Sequence, residues 1–137
     1  MEKTDLKNYR MLVLETKQLQ TQLRVLEASL YSPKGQRFTS TPRAASGPKK
    51  TMEDAVAGHI RLESLYQEKL AAQEAQLLLI EQALGALDDP AQRLVMRDRY
   101  LLGHGWTRIC EKMRGQGYSE RQVYRLHGLA LLKLKEC

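Results

Sequence analysis

The sequence predicts an all-α protein: a long heptad helical hairpin or coiled coil, followed by a C-terminal helix-turn-helix domain. Two observations carry this. Apolar residues recur at alternating steps of three and four through two long stretches, 1–31 and 51–87. The last stretch, 88–137, holds short helical patterns separated by glycine turns.

The first heptad helix shows the seam Tyr9, Leu12, Thr16, Leu19, Leu23, Leu26 and Leu30, with Lys, Gln, Glu and Arg between. No proline or glycine interrupts it from Glu2 to Tyr31. Such a helix is roughly 40 Å long and needs a partner to bury its stripe. Residues 32–50 (SPKGQRFTSTPRAASGPKK) break the pattern with three of the four prolines and several Gly, Ser and Thr. That composition is expected to form a flexible basic loop, either a solvated linker or a tether touching phosphates or a partner. A second heptad helix should start at Thr51, where Thr-x-x-Asp (Thr51, Asp54) resembles a capping box. Its seam is Val56, His59, Glu63, Tyr66, Leu70, Gln73, Leu77, Ile80, Leu84 and Leu87, polar in the first half and apolar in the second. Periodicity does not choose between an antiparallel hairpin within one chain and a homodimer through the same seams. The polar seam residues are suited to setting register rather than to holding a metal.

Asp88-Asp89-Pro90 then ends the second helix. Asp89 is a good N-cap and Pro90 fits the first helical position, so the paired carboxylates read as capping, not catalysis. A third helix is expected from Pro90 to about Leu102, stopped at Gly103-His104-Gly105. Trp106-Thr107 should open the next helix with Thr107 as cap and Ile109, Cys110 and Met113 inward. Arg114-Gly115-Gln116-Gly117-Tyr118 reads as a turn. Ser119 with Gln122 completes a capping box for the last helix, whose buried stripe is Val123, Leu126, Ala130, Leu131 and Leu134. Its other face shows Glu120, Arg121, Tyr124, Arg125 and His127 at the N-terminal end. That is the layout a recognition helix needs to enter a major groove.

Composition narrows the functional classes. The chain has 137 residues and a formal net charge of +6, suited to one small domain plus an extended element. By segment the charge is +1 over 1–31, +5 over 32–50, −6 over 51–89 and +6 over 90–137. An acidic middle between basic segments points to a polyanion at particular places on the chain. At 6% aromatic residues, a large aromatic-lined substrate pocket is not expected. No apolar run is long enough for a membrane span, and the charged start does not resemble a signal peptide. Two cysteines, Cys110 and Cys137, give neither a disulfide framework nor a zinc site, which fits a reducing cytoplasm. No phosphate loop, metal-ligand spacing or activated nucleophile is present, so neither an enzyme nor a cofactor is expected.

The run Arg97-Asp98-Arg99-Tyr100, Gly103, Trp106-Thr107-Arg108-Ile109-Cys110, then Tyr118-Ser119-Glu120-Arg121-Gln122-Val123-Tyr124-Arg125-Leu126-His127 and Ala130-Leu131, resembles sigma-70 region 4. It is most similar to the form in phage and prophage regulators of the autolysin-regulator and late-gene-activator type. Ser119, Val123 and Ala130-Leu131 fall in step with that pattern. The turn before Ser119 is about three residues longer, Cys110 replaces the usual Ala, and Asp98 stands where Leu is common, which leaves Asp98 facing solvent or a local charge pair. The resemblance implies sequence-specific binding of double-stranded DNA and regulation of phage or prophage transcription in a bacterial cytoplasm. Arg121, Gln122, Tyr124 and Arg125 would contact bases or nearby phosphates, with Ser119 beside them. Arg108, Lys112 and Arg114 would hold the DNA backbone. Trp106 is expected to anchor the small core, His104 to be a turn residue, and His127 to touch DNA or be exposed. Two other readings stay open: a small-terminase-like DNA-recognition subunit, and a module that docks on bacterial RNA polymerase with little DNA affinity.

Overall fold

The computed structural model describes residues 1–31 and 51–136, and among these the chain is all helical, with no strand. Its elements are α1 (Lys3–Tyr31), α2 (Met52–Gly85), α3 (Pro90–Met96), a π-helical turn (Arg97–Leu101), α4 (Trp106–Arg114) and α5 (Glu120–Glu136). The expected basic loop 32–50 and Cys137 lie outside the described residues. By packing, the chain divides into two compact units, Met1–Val13 with Ala72–Cys137, and Leu14–Ala71.

The Leu14–Ala71 unit is a pair of helix segments. From α1, Thr16 and Leu23 are buried and Leu19, Leu26 and Leu30 half-buried, as the heptad spacing predicts. From α2 the half-buried positions include His59, Leu62, Tyr66 and Leu70. Glu63, expected on the seam, is exposed, and Leu62 takes the inward place because an apolar side chain gains more from burial there. Val56 is also exposed. Glu15 pairs with Lys69 at 2.9 Å and Glu27 contacts His59 at 3.4 Å, so the two segments run antiparallel within one chain. At the start of α2 the Thr51 Oγ1 accepts from the Asp54 N–H at 3.1 Å, and the Thr51 N–H donates to Asp54 at 3.3 Å. The capping box is present as the sequence suggests.

The other unit holds two cores. In one, Leu6, Tyr9 and Val13 of α1 meet Ile80, Leu84 and Leu87, then Met96, Tyr100, Ala130 and Leu134. In the second, Ala91, Val95, Ile109, Cys110, Met113 and Val123 are buried together, with Trp106, Tyr118 and Leu126 packed against them. Each fully buried aliphatic side chain here contributes about 1.5–3 kcal/mol. Residues 88–137 therefore do not pack by themselves: one of their two cores is shared with 1–13 and 72–87. Arg10 reinforces the join by donating to the Leu101 carbonyl at 3.2 Å. Its guanidinium lies where a Cβ on Gly103 would collide, and Gly103 has φ +74. Asp89 caps α3 by accepting from the Ala91 N–H at 2.9 Å, with Pro90 opening the helix.

The expected single helix to Leu102 is instead α-helical only to Met96. A π turn follows, in which the Leu102 N–H bonds to the Arg97 carbonyl at 2.9 Å. The widened turn accompanies the burial of both Asp98 and Tyr100, which lie on different sides of it.

Candidate nucleic-acid interface

The candidate site is α4, the turn after it and the start of α5. At α4 the N-cap is Gly105, with no side-chain cap, so Thr107 lies inside the helix rather than capping it. The cap sits two residues earlier than expected, because α4 already starts at Trp106. Ile109, Cys110 and Met113 face inward as expected. After Arg114 the backbone turns on Gly117, which has φ +92, a conformation glycine adopts without strain. The Tyr118 N–H bonds back to the Met113 carbonyl at 3.0 Å. Ser119 and Gln122 then make a reciprocal box: the Gln122 N–H donates to Ser119 Oγ at 3.2 Å, and the Ser119 N–H to Gln122 Oε1 at 2.7 Å. The predicted stripe is inward too, with Val123, Ala130 and Leu134 buried and Leu126 and Leu131 half-buried.

This seating turns one face of α5 outward. At about 100° per residue, Tyr124, Arg121, Arg125 and Gln122 follow one another across an arc of about 160°. All four are exposed. Gln122 spends its carbonyl oxygen on the cap and keeps its amide N–H donors; Ser119 likewise keeps its hydroxyl hydrogen. Tyr124 is 43% exposed and leans on Trp106, ring centroids 5.0 Å apart. Arg108 and Arg114 of α4 are exposed. The ion pairs among the described residues engage Lys69, Arg97, Lys112 and Lys133 and leave Arg108, Arg114, Arg121 and Arg125 out.

Lys112 is the one predicted contact whose charge is already committed. Its ammonium sits 3.1 and 3.0 Å from the two carboxylate oxygens of Asp98. Asp98 is 2% exposed, so it takes the charge-pair alternative of the sequence reading and not the solvent one. Next to it His104 is half-buried in the turn, its Nδ1 3.9 Å from Asp98, beyond hydrogen-bond reach. The Cys110 thiol is buried, and that burial together with Glu120 raises its pKa against the opposing pull of Arg114, which makes it a poor nucleophile. A small hollow of about 130 Å³ opens beside it, lined by Trp106, Glu111, Arg114, Glu120 and Tyr124 among others.

His127 is a correction. It neither lies exposed nor points outward as a DNA contact: its Nε2 is 2.8 Å from the Tyr100 hydroxyl. Its ring stands edge-on to Trp106 at 4.7 Å and stacks near Tyr100 at 5.7 Å. Burial first, then Lys3 and Arg99, lower its pKa to about 4. The signal was in the spacing. Position 127 is four after Val123 and three before Ala130, which puts it on the inner stripe. Sequence reasoning also missed Arg99, whose guanidinium lies 4.8 Å over the Trp106 ring and donates to the His104 carbonyl at 3.3 Å. No pattern in the sequence announces that contact.

Among the described residues no helix is long and apolar enough to cross a membrane, and no three His, Cys, Asp or Glu side chains gather as a metal site. Compared with known proteins, the chain matches no family model, no curated protein and no solved structure.

Proposed function

We propose that this protein binds double-stranded DNA sequence-specifically and regulates transcription, with α5 as its reading helix. The observation that carries the proposal is the exposed first half of α5. It presents Arg121, Gln122, Tyr124 and Arg125 on one face while Val123, Ala130 and Leu134 anchor the opposite face in the core. Arginine reads guanine edges through two hydrogen bonds or pairs with phosphates, and a rigidly seated helix makes the choice between them geometric. Arg108 and Arg114 are the backbone contacts in this reading. Lys112 contributes by positioning α4 through Asp98, and not as a free cation. The phage or prophage setting, in a bacterial cytoplasm, rests on the resemblance to sigma-70 region 4.

The test is selection from a library of genomic fragments across a salt series, comparing the parent with the triple change Arg121→Ala, Gln122→Ala, Arg125→Ala. An enriched site, a steep salt slope and loss in the triple variant support the proposal. Arg125→Ala alone should weaken the selected site by about 1–3 kcal/mol if it reads a base. Equal losses on selected and random DNA would make it a phosphate contact. Binding indifferent to sequence and to the triple change would end the reading. A polymerase-docking role is the second reading, favoured by Leu129 and Leu132, 42% and 61% exposed on the later turns of α5. Co-purification with polymerase without measurable DNA affinity would choose it.

A further inference from the structure

The turn joining α4 to α5 holds Gly115 and Gly117 and bonds back to α4 through its backbone, so it does not by itself fix how α5 is rotated against α4. Buried contacts must do so. On one edge of α5 those contacts are unusual: Tyr124 and His127, three residues apart, both touch Trp106, the first residue of α4. Trp106 is also held by Arg99 of the π turn, whose guanidinium lies over its ring. His127 is held in turn by Tyr100, on that same π turn. The four rings and the guanidinium make a closed set in which only Tyr124 also faces solvent strongly.

We propose that His127 is a positioning residue for DNA reading: by gripping Tyr100 and Trp106 it fixes the face of α5 on which Tyr124 stands. The inference rests on the DNA-binding role proposed above and extends it to a residue turned away from the DNA. A neutral imidazole suits the place. Lys3 from α1 and Arg99 from the π turn both act against a positive charge there, Tyr100 offers a hydroxyl that accepts or donates, and Trp106 and Tyr124 bring no charge. The sign of the pH effect follows. The unfolded chain takes up this proton near pH 6.5 and the folded protein only near 4, so the contribution is complete above 6.5 and is lost as pH falls toward 4.

Two substitutions separate the geometry from the proton. In His127→Gln the amide reaches where Nε2 was, keeping a bond to Tyr100 without a titrating group. His127→Ala removes both. Trp106, the one tryptophan in the chain, reports locally through its fluorescence. The parent should show a fluorescence transition well below pH 6.5, absent from both variants. On DNA at pH 7.5, His127→Ala should cut the preference for the selected site over random fragments about tenfold, within what one mismatched base pair costs. Random-fragment binding should change less than about threefold, and His127→Gln should recover most of the preference, since it restores the grip. Equal losses on both DNAs, or no recovery with Gln at equal thermal stability, would reduce His127 to general packing and overturn the inference. An unchanged preference in His127→Ala would overturn it too, while leaving DNA binding intact. A parent that selects no sequence would instead refute the DNA-binding reading and this extension with it.

Discussion

The two packing units use the same kind of helix to opposite effect. In the unit of Met1–Val13 with Ala72–Cys137, Leu6, Ile80, Leu84, Val95, Met96, Ile109 and Val123 are all completely buried. Among the described residues of Leu14–Ala71 only Thr16 and Leu23 are buried, and most of the seam is half-open. Their ion pairs differ in the same direction. Asp98–Lys112 joins a carboxylate side chain 3% exposed to its cation, whereas Glu15–Lys69 joins two side chains 55% and 37% exposed. A heptad rhythm specifies which face turns inward. How much that face is worth depends on how many elements close over it, and two helix segments close over less than five do.

That contrast is open to breakage by mutation. The largest loss should follow Leu84→Ala, about 3 kcal/mol in chemical denaturation, because a closed core cannot collapse around the missing atoms. A loss near that of the half-buried Leu19→Ala, for which about 1 kcal/mol is expected, would mean that the first unit is no better packed than the second. Lys112→Met should cost about 2 kcal/mol by leaving the buried Asp98 carboxylate without its cation. Its surface counterpart, Lys69→Met, should change the unfolding free energy by no more than about 0.5 kcal/mol. Salt should sharpen the distinction, since only the exposed pair is readily screened.

Most of the architecture was legible in the residues. Thr51 with Asp54, Asp89 with Pro90, and Ser119 with Gln122 each announce a helix start through local chemistry, and each is made as written. Local signals also gave the outward face of α5, because Arg121, Gln122 and Arg125 lie opposite Val123 and Ala130. What stayed hidden is tertiary. Glu63 and Leu62 are adjacent, and one step of register decides which turns inward. The π turn depends on two buried residues with partners elsewhere, Asp98 with Lys112 and Tyr100 with His127. His127 is hidden because a titratable side chain suggests solvent, although its spacing places it inward. Lys112 reads as a free cation in the sequence because nothing nearby shows that Asp98 is buried beside it.

Arg10 and Gly103 carry a consequence for inheritance. The guanidinium rests where a side chain at Gly103 would be, ninety-odd codons downstream. A recombination crossover near codon 88 would hand the last three helices to a foreign start, leaving that seat empty and the faces of Met96, Ala130 and Leu134 bare. Shuffling thus has no clean seam here. The last helix can be passed between genomes intact only together with the codons for 1–13 and 72–87, which share its core.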